Sequence, residues 1–273
     1  MGLRVNTNIA ALSAQRNLSS VSGRLQGNFA RLSSGLRIAT AADDAAGLGI
    51  SERMRGQIRS LAVASRNAQD GVSLAQTAEG ALQEVNNNLS RMRELAIQAA
   101  NGTLTTADRT TLDTEFQALI TEIDRVSGQA TFNGVSLLDG SITSLDIQVG
   151  VNAGELISVS LNDMTATSLA INGESVTSAA NASGALAVID LAIESVTTAR
   201  GQLGAAQNRL TSSIASILNT RENLSAAESR IRDVDVALET ADLTRNSILQ
   251  QAAVSVLAQA NTQPQLALSL LQG

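Results

Sequence analysis

The 273-residue chain has no histidine, no cysteine and no lysine, so that all 19 of its basic residues are arginine, and its only aromatic rings are those of three phenylalanines. Without His or Cys, zinc and thiolate centres of the usual kinds are excluded, as is a Ser-His-Asp relay; without Lys there is no P-loop. Carboxylates remain, but nothing in their spacing implies a pocket, and the chain is read as a non-enzyme with no cofactor and no metal. The lack of cysteine removes any disulfide framework and any thiol open to oxidation outside a cell, which fits export. A core almost without rings must be built from Leu, Ile, Val and Ala in thin seams, which suit helices better than deep pockets. No run of 18 apolar residues exists, and the first residues, through Leu18, lack the unbroken apolar stretch and small-residue cleavage site of a secretory signal. Neither membrane insertion nor cleaved-signal secretion is expected.

Charge is unevenly placed. The net value is −6, yet residues 1–42 carry Arg4, Arg16, Arg24, Arg31 and Arg37 with no acid, which leaves an acidic body. Nucleic-acid binding is not expected, because stacking rings are nearly absent and the body would repel phosphate.

Helical periodicity dominates. From Leu61 the series Ala64, Ala68, Gly71, Ala75, Ala78, Leu82, Val85, Leu89, Met92, Ala96 and Ala99 alternates steps of three and four without a slip, one seam of a long helix. The helix is expected to begin near Asp43 and Asp44 and to stop around Asn101 and Gly102. The two acids are read as a helix start and not as a metal pair, since adjacent helical residues point about 100° apart. Gly47 and Gly49 lack the spacing and preceding strand of a nucleotide loop and are read as close-packing or flexible positions. Thr105 or Thr106 can cap a second helix, with seam Leu112, Phe116, Leu119, Ile123 and Val126, ending at Ser127 and Gly128.

In the second half, Ile189, Val196, Leu203, Leu210, Ile217, Leu224 and Ile231 recur at steps of seven, with Leu186, Ile193, Arg200, Gln207, Ile214, Arg221 and Glu228 as the complementary, half-polar line. Near the N-terminus Ala11, Ala14, Leu18, Val21, Leu25, Asn28 and Leu32 keep the same period. A last helix is expected from about Asp233 to Asn261, before Pro264, with Asp233, Asp235, Glu239 and Asp242 near the N-terminal arginines. Between the helical halves Leu145–Val149 and Leu156–Leu161 alternate around Asn152-Ala-Gly-Glu155, a β-hairpin; the Ser, Thr, Asn and Gly that follow, as far as Gly184, read as an exposed connector. The fold class is mainly α: long antiparallel helices from both chain ends forming a coiled-coil or helical bundle, with a small β-hairpin in the middle.

The ends point to assembly. From Asn246 to Gly273 no residue is charged, and Ile248, Leu249, Ala252, Ala253, Val254, Val256, Leu257 and Ala258 point nearly all round a helix. One partner helix covers one stripe; this segment offers several. A helix buried within one globule is the plainer alternative, and a membrane-inserted one is disfavoured by Gln250, Gln251, Gln259 and Asn261. Leu18, Val21, Leu25, Leu32, Ile248, Leu249, Val254, Val256, Leu257, Leu270 and Leu271 are the candidate assembly residues.

A set of segments, in order and spacing, closely resembles bacterial flagellin, of a compact type without large variable outer domains. It includes Val5-Asn-Thr-Asn8, Arg31-Leu-Ser-Ser-Gly-Leu-Arg-Ile38, Asp43-Asp-Ala-Ala-Gly47, Ser65-Arg-Asn-Ala-Gln-Asp-Gly71, Arg93-Glu-Leu-Ala-Ile-Gln98, Phe132-Asn-Gly134, Ser247-Ile-Leu-Gln-Gln-Ala252 and Val256-Leu-Ala-Gln-Ala-Asn261. The resemblance implies a structural subunit that polymerises into the bacterial flagellar filament for motility, extracellular and exported unfolded by the flagellar type III apparatus. It also implies an inner terminal coiled-coil domain, 1–42 plus 234–273; a helical bundle, 43–140 plus 182–233; and a hairpin and exposed connector, 141–181. The implied partners are copies of the chain itself, an export chaperone, the filament cap and hook-junction proteins, and Toll-like receptor 5, whose recognition positions match Arg91, Leu95 and Glu115. Leu95 lies off the Leu89, Met92, Ala96 line, which reads as surface or as a contact to a neighbouring subunit. The competing readings are a hook-filament junction protein, sharing the terminal helices, and a cytoplasmic coiled-coil scaffold, which would not need the charge-free tail.

Overall fold

The computed structural model describes the backbone of residues 7–271 and the side chains of residues 7–262; Arg4, Val5 and Asn6 lie outside the described residues. Five helices, α1 (Ile9–Ser34), α2 (Ala45–Ala100), α3 (Thr106–Gln129), α4 (Ala179–Arg232) and α5 (Val236–Leu271), frame two small hairpins, β1 (Thr131–Phe132) with β2 (Val135–Ser136) and β3 (Ser144–Gln148) with β4 (Leu156–Ser160). Two compact units result: residues 1–56 with 223–273, and residues 57–222, with α2 and α4 contributing to both.

Local chemistry fixes the helix ends. Asn8 caps α1 by accepting from the Ala11 amide, and Gly35 closes it in the left-handed conformation, φ 71°. Asp44 starts α2 by accepting from the Gly47 amide at 2.9 Å, whereas Asp43 holds the preceding loop through the amides of Ala39 and Thr40. A side chain at Gly47 would meet Ile38 Cδ1 at 2.8 Å, so close packing keeps that position bare. Thr105 and Asp108 form a reciprocal capping box on α3, and Arg109 donates to the carbonyls of Ala99 and Asn101 at the end of α2. α5 does not stop before Pro264: it runs through to Leu271, forgoing the amide bond a proline cannot make.

In the unit 57–222, every member of the α2 seam from Leu61 to Ala99 is buried, and so are Ile189, Val196, Leu203, Leu210 and Ile217 of α4. Gly71 belongs in the seam because a Cβ there would stand 3.1 Å from Ile147 and 3.2 Å from Leu210. The second α4 line differs from the expected one. Ala185, Ala192, Ala199 and Ala206 are the buried partners of the aliphatic line, while Leu186, Ile193, Arg200 and Gln207 sit half-buried at its flank. Alanines permit close helix approach, and the polar flank then reaches Glu79 of α2, at 3.0 Å from Gln207 and 3.7 Å from Arg200. By composition α4 is long and apolar enough to cross a membrane, but its aliphatic line is committed to this core.

The expected hairpin is β3–β4, registered Ser144 with Ser160 and Gln148 with Leu156; Ile157 and Val159 face the core. The shorter hairpin β1–β2 turns on Asn133 and Gly134, both at positive φ.

The connector after β4 is not an exposed one. Leu161, Met164, Ala166, Leu169, Ile171 and Val176 are buried. Irregular backbone can be buried only if its polar groups find partners, and α3 supplies them: Asp124 accepts from the Ala166 amide at 2.7 Å, Asp113 from the Val176 amide at 2.8 Å, and Ser127 and Gln117 donate to the Met164 and Glu174 carbonyls.

Candidate assembly surface

The unit built from the chain ends is organised by α1 lying antiparallel on α5. Asn8 Nδ2 donates to the Ala260 carbonyl at 2.7 Å, Gln250 reaches Ser22 Oγ at 3.5 Å, and Asn28 bridges Glu239 and Asn246. Where α1 ends and α5 begins, the flanking loops clasp each other through backbone: the Arg37 amide donates to the Arg232 carbonyl at 2.7 Å, the Val234 amide to that of Gly35 at 3.0 Å, and Leu36 bridges Asp233. Arg232 Nη1 also donates to Glu52 at 2.6 Å, and this hydrogen bond holds the Glu52 carboxyl below its ordinary range.

Charge pairing between the ends is narrower than expected. Among the described residues, Glu239 alone of the named acids faces an N-terminal arginine, Arg31, at 3.9 Å. Asp235 caps α5 through the Ala237 amide, Asp242 pairs along its own helix with Arg245, and Asp233 joins the backbone clasp. Short acids one helix turn from a free amide or an arginine satisfy themselves locally first.

Apolar side chains lie on both sides of α5. The line turned inward, buried or half-buried, is Glu239, Leu243, Asn246, Gln250, Ala253, Leu257 and Ala260, alternating steps of four and three and mixing polar with apolar residues, with Asp242 and Ser247 half-buried at its flank. Four large aliphatics face out: Ile248 is 60% exposed, Val256 58%, Val254 52% and Leu249 43%. On α1 the expected line Leu18, Val21, Leu25 and Leu32 is half-buried, facing α5, while Ile9, Leu12 and Phe29 are exposed. The candidate assembly residues therefore fall into two groups. Leu18, Val21, Leu25, Leu32 and Leu257 make the intrachain pair, and Ile248, Leu249, Val254 and Val256 form an uncovered apolar face. The side chains of Leu270 and Leu271 lie outside the described residues. Ile9, Leu12, Phe29, Val236 and Leu238 are further exposed apolar residues of these two helices that the sequence reading did not single out; their departure from the Ala11–Leu32 line, or from the α5 seam, was the available signal.

At the other candidate positions, Arg91 Nε donates to Glu115 at 2.8 Å and Nη1 to Glu94 at 2.9 Å. These bonds, the one to Glu115 foremost, push the arginine further above its ordinary range. Arg93 ties α2 to Asp190 of α4 at 2.7 Å and holds that carboxyl below its usual value. Leu95 is 1% exposed and belongs to the core, so it is neither surface nor an intersubunit contact. A single seam underestimates a helix covered on two sides: near this level Met92, Leu95, Ala96 and Ala99 are all buried.

Comparison with known proteins agrees with this arrangement. Residues 5–143 match the bacterial flagellin N-terminal helical region and residues 186–271 the bacterial flagellin C-terminal helical region. A flagellin of Halalkalibacterium halodurans is 50% identical over 270 residues, 98% of this chain and 99% of the relative; one of Bacillus subtilis is 47% identical over 304 residues, 99% and 100%. The crystal structure of Bacillus cereus flagellin superposes with a TM-score of 0.51 at 34% identity, covering 60% of this chain and 94% of that chain. Neither a scaffold of another class nor an enzyme fits such end-to-end similarity. The chain belongs to the bacterial flagellin family, the structural subunits of the extracellular flagellar filament.

Proposed function

We propose that the paired α1 and α5 are the polymerising part of the subunit, the inner coiled-coil domain, and that their outward aliphatic face is covered in the filament by the same helices of other copies. The observation that carries this reading is the set of large aliphatics that α5 leaves exposed while its pairing with α1 uses polar side chains. A helix that turns Glu239, Asn246 and Gln250 toward its partner and Ile248, Val254 and Val256 toward solvent leaves apolar area that only further chains can cover. Each such side chain gains roughly 1.5–3 kcal/mol on full burial. Deleting Gln259 to Gly273 tests it: the helices of residues 57–222 keep their circular dichroism while seeded filaments vanish from electron micrographs. Normal filaments from that truncation refute the assignment.

The same chemistry supports the remaining partners. A unit with so few buried apolar residues loses little on unfolding, which suits export as an extended chain through the type III apparatus. The charge-free stretch from Asn246 suits an export chaperone that shields it, and the outward face suits the filament cap and hook-junction proteins at the two ends of the polymer. Recognition by Toll-like receptor 5 rests on the exposed Arg91 and Glu115 pair, with Leu95 supporting α2 from behind. Purified subunit that leaves a receptor-expressing reporter line silent, where a known active flagellin triggers it, removes that partner.

A further inference from the structure

Apolar content spread nearly all round α5 cannot decide which face of that helix meets α1. The backbone clasp at residues 35–38 and 232–234 fixes where α1 ends and α5 begins, but not which faces meet. A choice is nevertheless made: Leu243 and Leu257 are turned inward, while Ile248, Leu249, Val254 and Val256 are left outside.

The side chains that distinguish the inward face are polar. Asn28 is 7% exposed and Glu239 8%. Asn28 uses both ends of its amide: Nδ2 donates to Glu239 Oε1 at 2.6 Å, and Oδ1 accepts from Asn246 Nδ2 at 2.8 Å. Glu239 and Asn246 stand one heptad apart on a single line of α5, so one asparagine of α1 reads two successive turns of its partner. Arg31, one turn along α1, faces the same carboxylate at 3.9 Å and is itself 3.7 Å from Asp43. Rotation of α5 by one residue, about 100°, would bring Leu238 or Leu249 inward and leave Asn28 buried without a donor or an acceptor, at a cost of roughly 1–3 kcal/mol per orphaned group.

We propose that Asn28, Glu239 and Asn246 are the face-selecting residues of the terminal helix pair: they set which side of α5 meets α1 and thereby consign Ile248, Leu249, Val254 and Val256 to contacts with other copies. The inference rests on the assembly reading above for the use made of the outward face, but not for the pairing itself. Buried polar groups of this kind generally fix alignment and partner at some cost in stability.

The absence of cysteine makes the test direct. A short thiol-thiol crosslinker is applied to two double variants, S22C/Q250C, which reports the observed facing, and S22C/L249C, which reports a rotated one. In the otherwise unchanged chain the 22–250 intrachain product dominates. In the background N28L/E239L/N246L, which keeps the helices apolar and paired, that preference is lost and the 22–249 product rises to a comparable yield. E239Q, which retains an acceptor for Asn28, preserves the 22–250 preference. An intact preference in the triple leucine background overturns the proposal, whether or not that variant polymerises. Failure of the unsubstituted chain to form seeded filaments overturns the assembly reading instead and leaves the crosslinking result to stand on its own.

Discussion

The two compact units solve the burial problem in opposite ways. In residues 57–222 a contiguous core joins Leu82, Leu89, Met92, Phe116, Ile123, Ile189 and Leu210, each fully buried, with the hairpin residue Val159 and the connector residue Ile171. In residues 1–56 with 223–273 the buried apolar residues among those described are Ala14, Ile38 and Ala260, and the other buried side chains are polar: Asn28, Ser51, Arg232 and Glu239. One unit buries a contiguous aliphatic core within a single chain, whereas the other leaves Ile248, Leu249, Val254 and Val256 exposed and, on the assembly reading proposed above, is completed among copies. On that reading a filament subunit combines a part that stays folded whatever its neighbours do with a part stabilised by assembly.

The contrast is most readily broken at Phe116, the ring fully buried in the first of these units. Phe116→Ala is expected to destabilise residues 57–222 by about 3–5 kcal/mol, read as a fall in the thermal midpoint of the soluble chain by circular dichroism. An equally large change in the other unit has no counterpart, since no ring is buried there. Polymerisation separates the units in the other direction. Ile248→Ala with Val256→Ala leaves the soluble chain's melting unchanged within about 0.5 kcal/mol, as surface substitutions do. The same pair raises the critical concentration for seeded growth by roughly tenfold or more, since about 1.4 kcal/mol per subunit is a factor of ten. If the soluble chain melts earlier and polymer growth is unaffected, the division of labour is wrong.

A smaller effect sharpens the account of the α2 seam. Gly71 is the one seam position where a side chain would press on both the hairpin, at Ile147, and α4, at Leu210. Gly71→Val is expected to cost about 1–3 kcal/mol through overpacking, despite the helix propensity gained on replacing glycine. Thermal unfolding of the variant checks it, and a stabilised protein would mean that the close approach is not limiting.

The unit with the self-contained core was the more legible in sequence. An unbroken three-four alternation from Leu61 to Ala99 needs only one covering surface to become a buried stripe, and it did. What escaped were features set by a second covering element: Leu95, buried on a flank the single seam left bare, and the alanine line of α4, passed over for larger residues one position away. The connector misled for a related reason. Its Ser, Thr, Asn and Gly read as solvent-loving, yet the amides of Ala166 and Val176 and the carbonyls of Met164 and Glu174 in the same stretch are met by Asp124, Asp113, Ser127 and Gln117 on a helix some tens of residues earlier in the chain, a pairing no local pattern announces. For the terminal unit the uncharged tail pointed to assembly, but no local pattern gives which aliphatics face out, since the polar contacts of Asn28 with Glu239 and Asn246 span more than two hundred residues of chain.

The gentlest probe of the contrast is acid. Glu52 is held below its ordinary value chiefly by the hydrogen bond from Arg232, with Arg55 adding charge, and Asp43 is lowered mainly by the Thr40 backbone amide and hydroxyl. A carboxyl whose folded value lies below its unfolded one, near 4.3 for glutamate, stabilises the fold above that unfolded value and loses the contribution as pH falls through the folded one. Acidification below about pH 4 therefore loosens the clasp beside α1 and α5. The solvent-exposed carboxyls of Asp190 and Glu122 weaken over the same range in the other unit, but there a full apolar core remains when they are protonated. Glu52→Gln is expected to lower stability slightly at neutral pH and to flatten the acid limb of the terminal unit alone. Hydrogen exchange at the Arg37 and Val234 amides, followed from neutral to acidic pH, checks it: equal acid sensitivity with and without the substitution would show that the ion pair with Arg232 does not govern the clasp.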